Sequence, residues 1–580
     1  MPPHLADRSL APRRSLASSA SLVPHPWRLG VLPRVLLGLA LPLIVGLACR
    51  PAAALGADEF WQAAGLEGAV VAGGPGPEAA AAGLAVLQEG GNAVDSAATM
   101  LLVLCVIDPG NFCFGGEVPW LVYDGPRRVV EVVAGQGVAP QLATRTHFDA
   151  QGKIPPTGVE PAAVPAALDA ILTALDRYGT ISLARAAQPM LAVLDARTET
   201  WHRDLARTMR ELIAAERQAT DRRQGLRLAA DYFYRGPIAR RIDSWSRANG
   251  GLLRYADLAT HVTRIEQPVS ISYRGYTVVK CGIWTQGPML LQSLQLLSGF
   301  DFASLHPAHA DQIHLTVEAL KLALADRDTH YGDPLFSDIP LAELLSTSYA
   351  DTRRTLIDRS QASREWRPGA PRGAQARLDR TPPAGDASGR QRDTTTCLVA
   401  DRFGNVVAAT PSGWGGVVAG DTGVHLGSRL RSLTMEAGHP NEVAPGKRPR
   451  ITLTPTLVLQ QSQPVLAISV AGGDLQDQVS LQLLLACLDF HRSPAEAVTL
   501  PRFSTAHHIG SFSQPPPQLG SLTVNPEVTE TTLERLRQLG HQVTVSPGPI
   551  GHPSVLRIDP ATGRKEAAGD PRTKRHARAY

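Results

Sequence analysis

The segment 361–393 carries seven arginines (Arg364, Arg367, Arg372, Arg377, Arg380, Arg390 and Arg392) and four prolines (Pro368, Pro371, Pro382 and Pro383), with few large apolar side chains. A stretch of this kind cannot bury enough apolar surface to offset the entropy of ordering it, so it reads as an exposed loop or linker. It stops abruptly at Asp393. The next seven residues, Thr394-Thr-Thr-Cys-Leu-Val-Ala400, are β-branched or apolar and read as a strand. Any fold must therefore tolerate an open interruption directly before a strand. An inter-domain linker fits, and so does a segment built around a processing site. A Thr hydroxyl is a weak nucleophile without a base, and one solution makes the Thr the first residue of a chain, so that its own α-amine serves. That amine titrates near ~7.7–8.0, close to working pH, whereas Lys sits near ~10.4. An internal Thr, a loop before it and a strand after it meet those needs, although a Thr-rich edge strand would look the same.

Both sides of the interruption mix helix and strand. Before it, helices are expected at 77–88 and 92–107, the first closed by Glu89-Gly90-Gly91 and the second apolar on most faces. Residues 120–123 and 129–133 read as a hairpin around Asp124-Gly125. Helices follow at 163–178, 183–196, 204–215, 237–248 and 309–325, with strand character at 269–279. After the interruption come strands at 394–400 and 406–410 around the turn Asp401-Arg-Phe-Gly-Asn405. A second hairpin, 456–460 with 464–470, runs through Gly472-Gly473 into a helix over 475–490, striped by Leu481, Leu484, Leu485 and Leu488. A helix at 530–539 and a strand at 552–558 complete the pattern. Antiparallel pairs flanked by helices on both sides predict an α/β fold, a four-layer αββα sandwich.

Composition excludes several classes. Of 580 residues, 43% are apolar and 19% charged, which is globular rather than disordered. A net charge of +4 is too small to argue for nucleic acid. Six cysteines make no disulfide framework, and none shows metal spacing. Cys105 and Cys113 can be a disulfide or two buried thiols. Cys397 falls on the strand face opposite Thr394, so packing is expected of it. His314, His330, His439 and His552 show no ligand spacing, and no metal or cofactor is proposed. The basic end, Lys574 to Arg578, reads as solvated. At the N-terminus, basic residues precede a charge-free run over 35–48 and the small residues of 51–57, the pattern of a signal segment 1–57 cleaved after Ala54 or Ala57. Cys49 offers a lipid-anchored alternative. The expected location is secreted or periplasmic, with membrane contact only if the leader is lipidated or uncleaved. The leader holds six Arg and one Asp, so the slight basicity belongs to it.

A series of motifs then resembles the γ-glutamyltransferase (γ-glutamyltranspeptidase) family of N-terminal-nucleophile hydrolases, from Val70 to Tyr580. They are Leu87-Gln-Glu-Gly-Gly-Asn-Ala-Val-Asp95, Asn249-Gly-Gly-Leu-Leu253, Tyr255-Ala-Asp-Leu258, Tyr273-Arg-Gly-Tyr276, Ala325-Asp-Arg327 and Tyr331-Gly-Asp-Pro334. Asp393-Thr-Thr-Thr396, Asp401-Arg-Phe-Gly-Asn405, Pro445-Gly-Lys-Arg-Pro449, Thr454-Pro-Thr456, Gly472-Gly473 and Gly569-Asp-Pro-Arg572 complete the series. The resemblance implies a precursor that cuts itself before Thr394 into a large subunit, 58–393, ending in the loop 361–393, and a small subunit, 394–580. The two stay together. It makes Thr394 the nucleophile, Thr395 or Thr396 and Ser412 its orienting residues, and the N–H groups of Gly472 and Gly473 an oxyanion hole.

The departures fall where that family holds its substrate. Gln136 stands where an Arg would grip a carboxylate, and an amide cannot make that bidentate charged pair. Ser432, with Arg429 and Arg431 nearby, replaces an Asp that would hold an amine. Ile451-Thr452 replaces paired serines, Trp414 replaces an Asn, and Asp474 follows the oxyanion glycines, a charge that would oppose an oxyanion if it pointed inward. The expected activity is amide hydrolysis or transfer through an acyl-Thr394 intermediate, on glutathione or another γ-glutamyl compound. An acylase with a non-glutamyl substrate, its acyl group made anionic by the added cations, is the alternative, and a silent pseudoenzyme the third.

Overall fold

Cys397–Ala400 is buried on both faces, which is why it is apolar without alternating with polar residues. Its two faces still meet different layers. Leu398 and Ala400 pack between two sheets, while Cys397 and Val399 pack against helices. The computed structural model describes residues 60–302, 304–371, 394–413 and 416–580, all within one compact unit, Gly56–Tyr580. The expected leader, the second part of the loop (372–393) and Trp414 lie outside the described residues.

A separate three-stranded sheet contains the parallel pair Ser521–Val524 and Gln542–Val545. Each of the two stacked sheets has seven strands, and every pairing within them is antiparallel. One runs His576–Ala579, Ala69–Ala72, Cys397–Ala400, Val406–Ala409, Val118–Asp124, Val129–Gly135, Arg264–Glu266. The other runs Gln62–Gly65, Lys565–Gly569, His552–Ile558, Gln463–Ala471, Thr456–Gln460, Tyr276–Lys280, Val269–Tyr273. Leu121, Leu398 and Ala408 of the first meet Leu457, Ala467 and Leu556 of the second in the middle layer. Ala93–Ile107, Ala167–Tyr178 and their neighbours cover the first sheet. Gly287–Leu297, Ala310–His330 and Leu475–Leu484 cover the second. The fold is the expected four-layer αββα sandwich.

Local chemistry sets the element ends. Asn92 caps Ala93–Ile107 by accepting from Val94 N–H and Asp95 N–H, and the Asp95 carboxylate accepts from Asn92 N–H in return. The expected strand 269–279 is instead a hairpin, because Arg274 (φ 48°) and Gly275 (φ 85°) form a tight two-residue turn. Two of the longer helices escaped the sequence reading, Arg222–Tyr234 and Gly287–Leu297, as did shorter ones such as Thr347–Arg354 and Pro494–Thr499. The helix expected over 475–490 is α-helical for Leu475–Leu484 and widens to a π turn at Leu485–Asp489.

Two expectations are corrected. The basic end is solvated only at Lys574 and Arg578: His576–Ala579 is an edge strand paired with Ala69–Ala72, and Arg575 and His576 are buried. Burial pushes the Arg575 guanidinium down to about 10, against the pull of Asp108 and Asp570. The first part of the arginine-rich loop is also not free. Lys321 Nζ donates to Ser363 O (2.9 Å), Gly369 N–H to Asp326 Oδ1 (2.6 Å), and His330 Nε2 to Gly369 O (2.9 Å). The polar face of Ala310–His330 thus straps down residues that hydropathy alone leaves open.

Candidate active site

Thr394 is buried and sits at φ +76°. A β-branched residue in the left-handed region is strained by an amount on the order of 1–3 kcal/mol, and it persists only where its surroundings hold it. Thr394 N–H donates to Asn111 O (3.3 Å) and Thr395 N–H to Pro411 O (2.9 Å). The Gln476 side-chain amide lies 3.2 Å from Thr394 Oγ1. With the amide oxygen accepting from that hydroxyl, its NH2 donates to Val470 O (3.2 Å) and Thr452 O (2.8 Å), so all three polar groups are matched. Gln476 thereby ties the Thr hydroxyl to the end of one sheet and to the start of a helix.

That start is the flank where the oxyanion hole is expected. Gly472 (φ 137°) and Gly473 (φ 58°) turn the chain from Gln463–Ala471 into Leu475–Leu484, a path that side chains rarely follow. The first amides of a helix have no partner within it and lie at the positive end of its dipole, so the turn suits a developing oxyanion. Asp474 does not oppose this. Its carboxylate takes Arg327 (2.5 Å), Ser511 N–H (2.9 Å) and the Ser511 hydroxyl. Burial alone would raise its pKa, but Arg327, His508 and Arg450 together hold it well below the usual carboxylate range. Beneath the same turn Lys280 Nζ donates to Asp477 Oδ1 (2.8 Å) and Thr454 O (2.8 Å), both fully buried. Burial raises Asp477 to about 6 despite Lys280, and lowers the Lys280 ammonium despite Asp477.

The residues expected to meet the acyl group lie at the end of the other sheet. Ser412 bridges Glu117, and Val118 pairs with Gly135, the residue before Gln136. Glu117, Ser412 and Gln136 therefore share the sheet end to which Pro411 ties Thr395. Arg429 Nε donates to Glu117 Oε1 (2.7 Å), Nη2 to Ser412 Oγ (3.1 Å) and Nη1 to Ser432 Oγ (3.4 Å). The Phe512 ring lies against the guanidinium groups of Arg429 (5.6 Å) and Arg431 (5.2 Å).

The structure brings Thr394, Gly472, Gly473 and Thr452 together through Gln476, and Ser412, Arg429 and Ser432 through one guanidinium. Two residues expected to orient the nucleophile point elsewhere. Thr396 Oγ1 pairs with Ser554 Oγ (2.8 Å) between the sheets. Thr395 faces the helix side, where a Cβ added at Gly73 would fall 2.1 Å from its hydroxyl. The Gln136 amide donates to Gly137 O (3.0 Å), and its oxygen has no partner. Cys397 is packed as expected, with burial pushing its thiol up, and Cys105 and Cys113 are free buried thiols. Gln476, Glu117 and Arg327 were not foreseen as site residues. Arg327 lay inside a quoted motif, but nothing in composition or spacing pairs it with Asp474.

Among the described residues His314, Glu318 and His541 could gather round a cation. Their donors are already engaged: His314 Nδ1 pairs with His541 Nε2 (2.9 Å), while Glu318 holds Lys321 (2.6 Å) and Arg367 (3.3 Å). Two cations on the single carboxylate make this a poor metal site.

A profile of the family described as gamma-glutamyltranspeptidase matches residues 79–196 and 191–580. The acylase ACY 1 proenzyme of Pseudomonas sp. (strain SE83) is 30% identical over 83% of this chain and 89% of its own. The glutathione hydrolase-like YwrD proenzyme of Bacillus subtilis (strain 168) is 28% identical over 85% and 95%. The crystal structure of a cephalosporin acylase from Bacillus halodurans superposes with a TM-score of 0.75 at 27% identity, over 92% of this chain and 99% of that one. These relatives are named as hydrolases or acylases, which agrees with a strained Thr beside a glycine turn at a helix mouth, and the chain belongs to the gamma-glutamyltranspeptidase family of N-terminal-nucleophile hydrolases.

Proposed function

We propose that this chain is a self-processing amide hydrolase of the acylase kind, with Thr394 as its nucleophile. The observation that carries the reading is the strained, buried Thr394, its hydroxyl on the Gln476 amide one helical turn from Gly472-Gly473. In the precursor the Thr394 hydroxyl attacks the carbonyl of Asp393. The amide nitrogen leaves as the new α-amine, and water hydrolyses the resulting ester. The pieces 58–393 and 394–580 remain joined through their shared sheets and core. The left-handed backbone at Thr394 favours the cut, since a strained peptide bond loses its strain when broken.

In turnover the freed amine takes the hydroxyl proton as Oγ1 attacks the substrate amide carbon. The oxyanion forms against the Gly472 and Gly473 amides. Collapse expels the substrate amine, which carries the proton away, and leaves an acyl-Thr394 ester. Water, activated by the same amine, then releases the acid, and an amine in its place would give transfer. Acylase action is favoured over γ-glutamyl action because the guanidinium near the acyl side is already spent on Glu117 and no Arg stands at Gln136. An exported protein matches the leader pattern. Among the described residues no helix is long and apolar enough to cross a membrane.

The test is a denaturing gel of purified protein with N-terminal sequencing of the smaller band. Two bands, the smaller beginning at Thr394 and absent in Thr394→Ala, are expected, with hydrolysis in the variant reduced at least ~10³-fold. One uncut chain refutes the reading. Release from an acyl anilide without release from a γ-glutamyl anilide separates the acylase from the γ-glutamyl enzyme.

A further inference from the structure

We infer that Glu117 sets the charge of the acyl pocket, so that the enzyme takes an uncharged acyl group bearing a hydrogen-bond donor. The inference rests on the acyl-enzyme reading and deepens it by naming the substrate class. On this flank Arg429 reaches the nucleophile strand through Ser412 and its neighbour Pro411. The sequence suggested that it would attract an anionic acyl group, and its surroundings argue otherwise. Glu117 and Arg429 are each about 2% exposed and 2.7 Å apart, so their charges cancel where water cannot enter. A second carboxylate brought beside a neutral pair would lose its hydration and gain no net attraction. Arg431, only partly buried, stands at the rim, where solvent weakens its pull.

The polar atoms left over point to what the pocket reads. Gln136 is 3% exposed, and its Oε1 has no partner while its Nε2 is held by Gly137 O. That oxygen can only accept, so it repels a carboxylate and matches a hydroxyl or amide N–H. On the opposite flank Thr452 Oγ1, fully buried beside the Gln476 contact, is also without a partner. Leaving such atoms unmatched costs free energy that a suitable ligand recovers. Phe512 adds a flat apolar wall. Its neighbour Ser511 is bonded to Asp474, so one loop joins the acyl flank to the oxyanion flank.

The test uses the processed protein and three p-nitroanilides of equal reach: glutaryl, 5-hydroxypentanoyl and pentanoyl. The 5-hydroxypentanoyl compound is expected to exceed the glutaryl compound at least tenfold in kcat/KM, and to exceed pentanoyl as well. In Glu117→Gln, nearly the same shape with the charge removed, the glutaryl-to-hydroxypentanoyl ratio is expected to rise at least tenfold as Arg429 becomes a net cation. A wild-type preference for glutaryl, or a ratio unmoved in Glu117→Gln, overturns the inference. If that variant fails to fold, the wild-type ranking decides alone. Cut protein that prefers glutaryl refutes this inference only, whereas uncut protein, or cut protein inert to all three, takes the acyl-enzyme reading down with it.

Discussion

The two flanks of Thr394 both bury charge, and they do it differently. On the flank proposed for the acyl group the Arg429 guanidinium faces the Glu117 carboxylate and two serine hydroxyls, with the Phe512 ring against it. On the oxyanion flank Arg327 reaches Asp474 (2.5 Å), Asp328 (2.7 Å), Gln286 (2.8 Å) and Ile509 O (2.9 Å) at once. The first arrangement cancels charge where a substrate group would lie. The second braces three chain segments, 327–328, the helix mouth at 474 and the loop at 509–511, around the amides proposed as oxyanion donors. Preorganised donors gain their effect from such rigidity. One pair therefore speaks to specificity, and the other network to stability and rate.

The contrast breaks most visibly at Arg327. Arg327→Met leaves Asp474 and Asp328 buried with a lost cation, and removing one member of a buried pair costs about 3–5 kcal/mol. Urea unfolding should show that loss, while Glu117→Gln, which leaves one buried cation but breaks a single ion pair rather than the shared partner of two carboxylates, should cost less. Equal losses would erase the distinction between the flanks. Gln476→Met comes next. It keeps the volume but drops the contact to Thr394 and the two carbonyl contacts, so kcat should fall on the order of 100-fold as the hydroxyl loses its alignment. A kcat within a few-fold of wild type would remove Gln476 from the oxyanion flank.

Sequence made the layers legible because strands buried on both faces must be apolar, as Cys397–Ala400 is, and because turns leave signatures such as Asp401-Arg-Phe-Gly-Asn405. It also put Thr394 and Gly472-Gly473 in one site, through resemblance rather than spacing. It could not show that Arg429 is spent on Glu117, 312 residues away, since a cation in sequence carries no sign of its partner. For the same reason Asp474 looked like a hazard until Arg327 was found beside it. Gln476 was passed over because a Gln in a first helical turn is ordinary there; only the path of Gly472-Gly473 aims it at Thr394. The C-terminal basic run misled at Arg575 and His576, because charge predicts exposure on average, while an edge strand can bury its neighbours.

The smallest effect concerns pH and separates two carboxylates three residues apart on the oxyanion flank. Burial raises Asp477 to about 6, against Lys280 and Thr454, so the native state keeps a proton that the unfolded chain, near ~3.9, has lost. Between about pH 4 and 6 the native state then binds more protons, and this group's contribution to stability falls as pH rises. Asp474 behaves in reverse. Burial would raise it, but Arg327, His508 and Arg450 hold it low, so its contribution is intact above about pH 4 and is lost as pH falls through the native pKa. Unfolding free energies of wild type, Asp477→Asn and Asp474→Asn, measured from pH 3 to 7, carry the two signs. Relative to Asp477→Asn the wild type should lose stability between pH 4 and 6, and relative to Asp474→Asn it should lose stability only below pH 4. Curves of the same sign would mean that Lys280 and Arg327 brace one shared charge, and that the flank has a single electrostatic unit rather than two.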